Sequence, residues 1–204
     1  MKKRILAISL IVAMLAIAVI GGSLAYFTDT DKAVNTFTVG KVDITLDETD
    51  VDLYGVKDGE TRVKTNTYKL IPGHHYVKDP VIHLDPTSEP CYLYVEIDNQ
   101  IEDIIVDGEN KPPVALLPFT QISEQIAAND WGIVGNGIYG KLVTNPAEEN
   151  EFKVFESFEI KPELDEAALK DYENKTIVIN AYAVQKDGFK DEQEAWNSTF
   201  GAKP

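Results

Sequence analysis

Three histidines, His74, His75 and His83, lie within ten positions of one another with Asp79 among them. Imidazole nitrogens beside a carboxylate make the donor set of a zinc site. The spacing does not suit a hydrolytic one. There is no His-Glu-x-x-His, which would set two imidazoles on one helix face with a base between them. His74 and His75 are adjacent after Pro72-Gly73, and adjacent side chains on extended backbone point to opposite sides. His74, His75, Asp79 and His83 are therefore metal candidates only in principle. The expectation is polar loop histidines, no bound metal and no cofactor.

The other reactive groups are as sparse. Cys91 is the single cysteine, so an intramolecular disulfide and a cysteine zinc cluster are both excluded. Its setting, Pro90-Cys91-Tyr92-Leu93-Tyr94-Val95, predicts a strand that buries the thiol as a small hydrophobe. Asp50-Val51-Asp52-Leu53-Tyr54-Gly55 begins like a calcium loop, but Tyr54 replaces the third oxygen ligand and Thr61 stands where a bidentate Glu is needed. The nucleophile elbow Gly-x-Ser-x-Gly and the phosphate loop Gly-x-x-x-x-Gly-Lys are missing. No residue is singled out as catalytic, and the chain is expected not to be an enzyme.

The elements that carry these residues read as strands. Residues 42–46, 67–71, 81–84, 92–97, 138–143, 152–160 and 176–185 alternate or cluster apolar and β-branched types. On 92–97, Tyr92, Tyr94 and Glu96 share one face and Leu93, Val95 and Ile97 the other. Residues 47–61 are acidic and turn-rich, a hairpin or an exposed loop, and 101–150 is irregular; both are expected to be insertions or loops. Helical spacing predicts short helices at 119–129 and 162–172, and a terminal helical turn at 191–196. Many strands and few helices imply a mainly β fold, an antiparallel jelly-roll-like β-sandwich with a few short helices in its connections.

The first 25 residues have a different character. Lys2, Lys3 and Arg4 precede an apolar run at 5–20, then Gly21-Gly22 and the small residues Ser23 and Ala25 at −3 and −1 of a signal peptidase site. Cleavage is expected between Ala25 and Tyr26. Residues 1–25 thus read as a signal peptide and 26–204 as one β-sandwich domain, secreted, with membrane contact only through an uncleaved signal. The chain carries 34 Asp and Glu against 19 Lys and Arg, and the signal would take three of the cations with it. So acidic a surface repels polyanions, and no nucleic-acid partner is expected.

At this junction, Gly21-Gly22-Ser23-Leu24-Ala25-Tyr26-Phe27-Thr28-Asp29 followed by Asn35-Thr36-Phe37-Thr38-Val39-Gly40, the chain resembles the TasA/camelysin family of exported Gram-positive proteins. Leu70-Ile71-Pro72-Gly73 and Ala181-Tyr182-Ala183-Val184-Gln185 are similar to later family segments. The resemblance implies a jelly roll, maturation by a SipW-type signal peptidase, and a place at the cell surface or in the extracellular matrix. It also implies self-association, or association with a related matrix protein, into biofilm fibres. Residues 26–39 are strand-like and start at the new terminus. They are expected to act as a donor strand through Tyr26, Phe27, Asn35, Phe37 and Val39. The alternatives are a secreted camelysin-type metallopeptidase and a surface adhesin or binding module.

Overall fold

The computed structural model describes residues 41–102, 105–106, 114–164 and 169–201. The chain divides into two units, 1–39 and 40–204, and every described residue belongs to the second. The signal peptide, its cleavage residues and the donor segment lie outside the described residues.

Two four-stranded antiparallel sheets dominate. The first has the order β10-β4-β1-β2 and the second β12-β5-β9-β8. In the first, β1 (Ile44–Val51) pairs over Ile44–Asp47 with β4 (Val81–Leu84), and beyond that with β2 (Lys57–Val63); β10 (Glu151–Lys153) closes the far side of β4. In the second, β5 (Cys91–Asn99) runs between β12 (Ile177–Gln185) and β9 (Ile138–Val143), and β8 (Gly132–Gly135) flanks β9. A small pair, β3 (His75–Val77) with β11 (Ser157–Glu159), adjoins them. A two-residue ladder joins β6 (Ile105–Val106) to β7 (Val114–Ala115). The mainly β, antiparallel character expected from the sequence is what the chain adopts.

β5 is covered on both faces, as its alternation predicts. Leu93 and Val95, fully buried, enter the main core with Tyr76, Ile82, Phe152, Phe155 and Phe158. Tyr92 and Tyr94 point the other way, against Val134, Ile138 and Trp196. Trp196 comes from a C-terminal helix, α2 (Glu192–Phe200), longer than the single turn expected. Its start is capped at Asp191, with a second bond one residue earlier. Asp191 accepts from the Glu194 N–H at 2.9 Å, and Glu194 accepts in turn from the Lys190 N–H at 2.8 Å.

The first helix, α1 (Phe119–Ala128), buries Ile122 and Ile126 as its spacing predicts. Its polar stripe has a second task. Gln121 donates to the Glu159 carbonyl and accepts from the Glu159 N–H, both at 2.9 Å. Gln125 donates to the Ser157 carbonyl at 2.8 Å and accepts from the N–H groups of Glu156 and Ser157 at 2.9 and 3.2 Å. Asn129 and the Trp131 indole donate to the carbonyls of Val154 and Lys153. Residues four apart lie on one helix face, so the stripe satisfies the outer edge of β11 as a neighbouring strand would.

Three expectations change and one is narrowed. Residues 47–61, read as a hairpin or an exposed loop, form the hairpin β1–β2. Its tip turns at Gly55, whose φ of +69° and closeness to the Tyr76 backbone leave no room for a side chain. Residues 67–71 form no strand. Side chains and isolated contacts hold this stretch: the Ile71 N–H donates to the Tyr76 hydroxyl at 2.9 Å, that hydroxyl donates to the Lys69 carbonyl, and the Lys69 N–H reaches Leu53. Residues 152–160 are two strands, β10 and β11, on different partners. The opposite chain breaks at Lys78-Asp79-Pro80, where Pro80 has no N–H to continue a ladder; its carbonyl accepts from Val154 instead. The region 101–150, expected as an insertion, supplies β8 and β9 of the second sheet. Residues 165–168 of the helix expected at 162–172 are outside the described residues; a short 3-10 turn spans Lys170–Tyr172.

Candidate functional site

A cleft of about 1400 Å³ opens in the described molecule. One wall is Leu46 to Glu48 of β1 with residues 64–70, and the other is residues 169–179, which lead into β12. Strand pairing explains why it is open. β12 has a partner only in β5, and β1 has β4 on one side over Ile44–Asp47 with no strand opposite, among the described residues. The inward residues of these strands, Ile44, Leu46, Ile177 and Ile179, pack against the core but remain half-buried. On β5, one strand away, Leu93 and Val95 are 0% exposed. The core is thus incomplete along this seam, and Tyr68, Leu70 and Tyr172 line the gap.

A polar cluster fixes the β1 wall. The break at Lys78-Asp79-Pro80 lets adjacent side chains both reach β1. Lys78 Nζ lies 2.6 Å from Glu48 Oε2, and both side chains are under a tenth exposed. Asn66 Nδ2 donates to Glu48 Oε1 at 3.1 Å and to the Thr49 carbonyl at 2.8 Å, while Asn66 Oδ1 accepts from the Val51 N–H at 3.1 Å. Tyr68 donates to the Val77 carbonyl and sets its ring 5.9 Å from the Lys78 ammonium. Burial, reinforced by the Glu48 and Asp79 charges, pushes the Tyr68 phenol well above its ordinary range, so it stays protonated.

Asp79 accepts from the Thr49 N–H at 2.7 Å and the Thr49 hydroxyl at 2.8 Å. Arg62 bridges Asp47 and Asp79, donating also to both their backbone carbonyls. Burial alone would raise the Asp47 pKa. Hydrogen bonds and charge from Arg62 and His83 outweigh it and hold the carboxyl below its ordinary value. His83 lies 3.0 Å from Asp47 and 3.5 Å from Glu151.

The four metal candidates are not brought together. His74 donates to the Tyr54 carbonyl at 2.6 Å and packs edge-on against Tyr76. His75 is exposed on β3. Asp79 is occupied by Thr49 and Arg62, and His83 by Asp47 and Glu151. Among the described residues no group of three or more His, Cys, Asp and Glu could hold a metal ion. This donor set does not fit a zinc centre. Cys91 is fully buried, and burial pushes its thiol up to about 11.

Sequence patterns missed Glu48, Asn66, Lys78 and Arg62. Each is a single polar residue in an acidic or turn-rich stretch, and the contacts that define its role join positions 13 to 30 apart. No helix of the described residues is long and apolar enough to cross a membrane. A comparison with curated proteins and one with solved structures gave no match. A family model described as camelysin metallo-endopeptidase matches residues 1–70. The match spans the junction and ends on the cleft wall, so over residues 1–70 the chain is similar to the family that its junction residues resemble.

Proposed function

We propose that this is an exported structural protein of the cell surface or extracellular matrix that associates with itself by strand addition. The observation that carries the reading is the seam of half-buried Ile44, Leu46, Ile177 and Ile179, where β12 pairs only with β5 and the Ile44–Asp47 stretch of β1 only with β4, among the described residues. An extended segment laid there would gain main-chain hydrogen bonds from a free strand edge and cover apolar side chains. The occupant is residues 26–39 of a second copy, with Phe27, Phe37 and Val39 as the apolar side chains and Tyr26 at the terminus freed by a SipW-type peptidase. Burying these three side chains contributes on the order of 6 kcal/mol before the entropy of association is subtracted, and the main-chain hydrogen bonds of the added strand come on top of that. Electron microscopy of purified mature protein tests this: polymers are expected, and removal of residues 26–34 abolishes them. Undiminished polymerisation of the shortened chain contradicts it.

The family description favours a second reading, a secreted metallo-endopeptidase. Casein cleavage by the purified chain, with and without a chelator, separates the two. Chelator-sensitive cleavage supports the peptidase. The structural reading expects no cleavage in either arm.

A further inference from the structure

Lys78, Glu48 and Asn66 are placed as reactants rather than only as an ion pair. One carboxylate holds both partners: Lys78 Nζ at 2.6 Å on Oε2 and Asn66 Nδ2 at 3.1 Å on Oε1. The Asn66 carbonyl oxygen accepts the Val51 N–H, a donor placed where negative charge would develop if the amide carbon were attacked. Lys78 and Glu48 are buried, and Tyr68 covers the ammonium. An amine and an amide held on the two oxygens of one carboxylate, with the amine and carboxylate buried, are placed for an intramolecular reaction between side chains.

We infer that Lys78 and Asn66 join in an isopeptide bond, with Glu48 carrying the protons. Glu48 takes a proton from the Lys78 ammonium. The free amine attacks Asn66 Cγ, and the carbonyl electron pair moves to Oδ1 against the Val51 N–H. The Nζ–Cγ bond forms, the carbonyl is restored and the Cγ–Nδ2 bond breaks. Lys78 loses two protons in all, both by way of Glu48, and the amide nitrogen leaves with them as ammonium. No oxidant, metal or cofactor enters the balance, and Glu48 ends as it began. The bond ties residues 64–70 to the break between β3 and β4, so one wall of the cleft becomes covalently fastened. The inference stands independently of strand addition.

Mass spectrometry of the purified full chain tests it without any variant. The intact mass is expected to fall short of the sequence mass by one ammonia. Trypsin is expected not to cut after Lys78, and residues 65–69 remain attached to the peptide that begins at Leu70. The variants Lys78→Arg and Glu48→Ala restore the full mass. A wild-type chain of full mass that is cut normally after Lys78 overturns the proposal. So does an ammonia deficit with Lys78 still cut, since that is the signature of a cyclic imide at Asn66 alone. A link that survives in Glu48→Ala removes Glu48 from the mechanism.

Discussion

Arg62 decides how the carboxylates of the first sheet coexist. It lies between Asp47 and Asp79, and all three side chains are less than a third exposed. Replacing it with Ala leaves two carboxylates facing each other without their shared donor, a loss of about 2 kcal/mol by the usual figure for an unsatisfied buried group. The same site gives a pH dependence. Asp47 titrates below its ordinary 3.8 when folded, so its contribution is fully present above that value and is lost as pH falls through the folded pKa. Urea midpoints for wild type and Arg62→Ala, near neutrality and near about pH 3, should differ most near neutrality and converge in acid. An equal gap at both would contradict the assignment. Cys91 offers a simpler check: its buried thiol should ignore a thiol reagent in the native protein and react once unfolded. Sequence alone predicted that burial, because the thiol sits in a strong strand pattern. It could not predict the Arg62 or Asn66 contacts, since partners this far apart in sequence leave no periodic trace.

At the scale of elements, the alternation that marked 81–84, 92–97, 138–143 and 177–185 reports a face buried against the other sheet, and these strands form where the pattern placed them. The pattern at 67–71 is as regular, yet no ladder forms, because the phenol of Tyr76 takes the backbone groups a neighbouring strand would have used. The break in 152–160 was invisible for a related reason: the interruption originates at Pro80, between the two strands that pair with it. The glutamine stripe of α1 is the element-level feature with the clearest consequence. Changing Gln121 and Gln125 together to Leu removes every side-chain bond that closes β11. The expected loss is about 2 to 4 kcal/mol, with increased binding of a dye that detects exposed strand edges. Changing Gln193, on the exposed face of α2, to Leu should alter neither. The N-cap at Asp191 predicts a smaller effect, about 1 kcal/mol on thermal unfolding for Asp191→Ala.

For the whole molecule, β12 pairs only with β5 and the Ile44–Asp47 stretch of β1 only with β4, among the described residues, and a strand-like segment of the sequence lies just after the expected cleavage point. The family resemblance was legible at the junction because several small and aromatic residues stand there at fixed spacing. The cleft was not, because it follows from which strands pair rather than from any residue type. A mixing experiment tests the central claim most directly. One variant, Ile179→Asp, keeps residues 26–39 but spoils the cleft; the other lacks residues 26–39 but keeps the cleft intact. Each should sediment as a monomer alone. Mixed in equal amounts they should form a complex of two chains and no larger, since each supplies the half the other lacks. Two monomers that stay apart on mixing, or a shortened chain that polymerises unaided, would contradict strand addition at this seam.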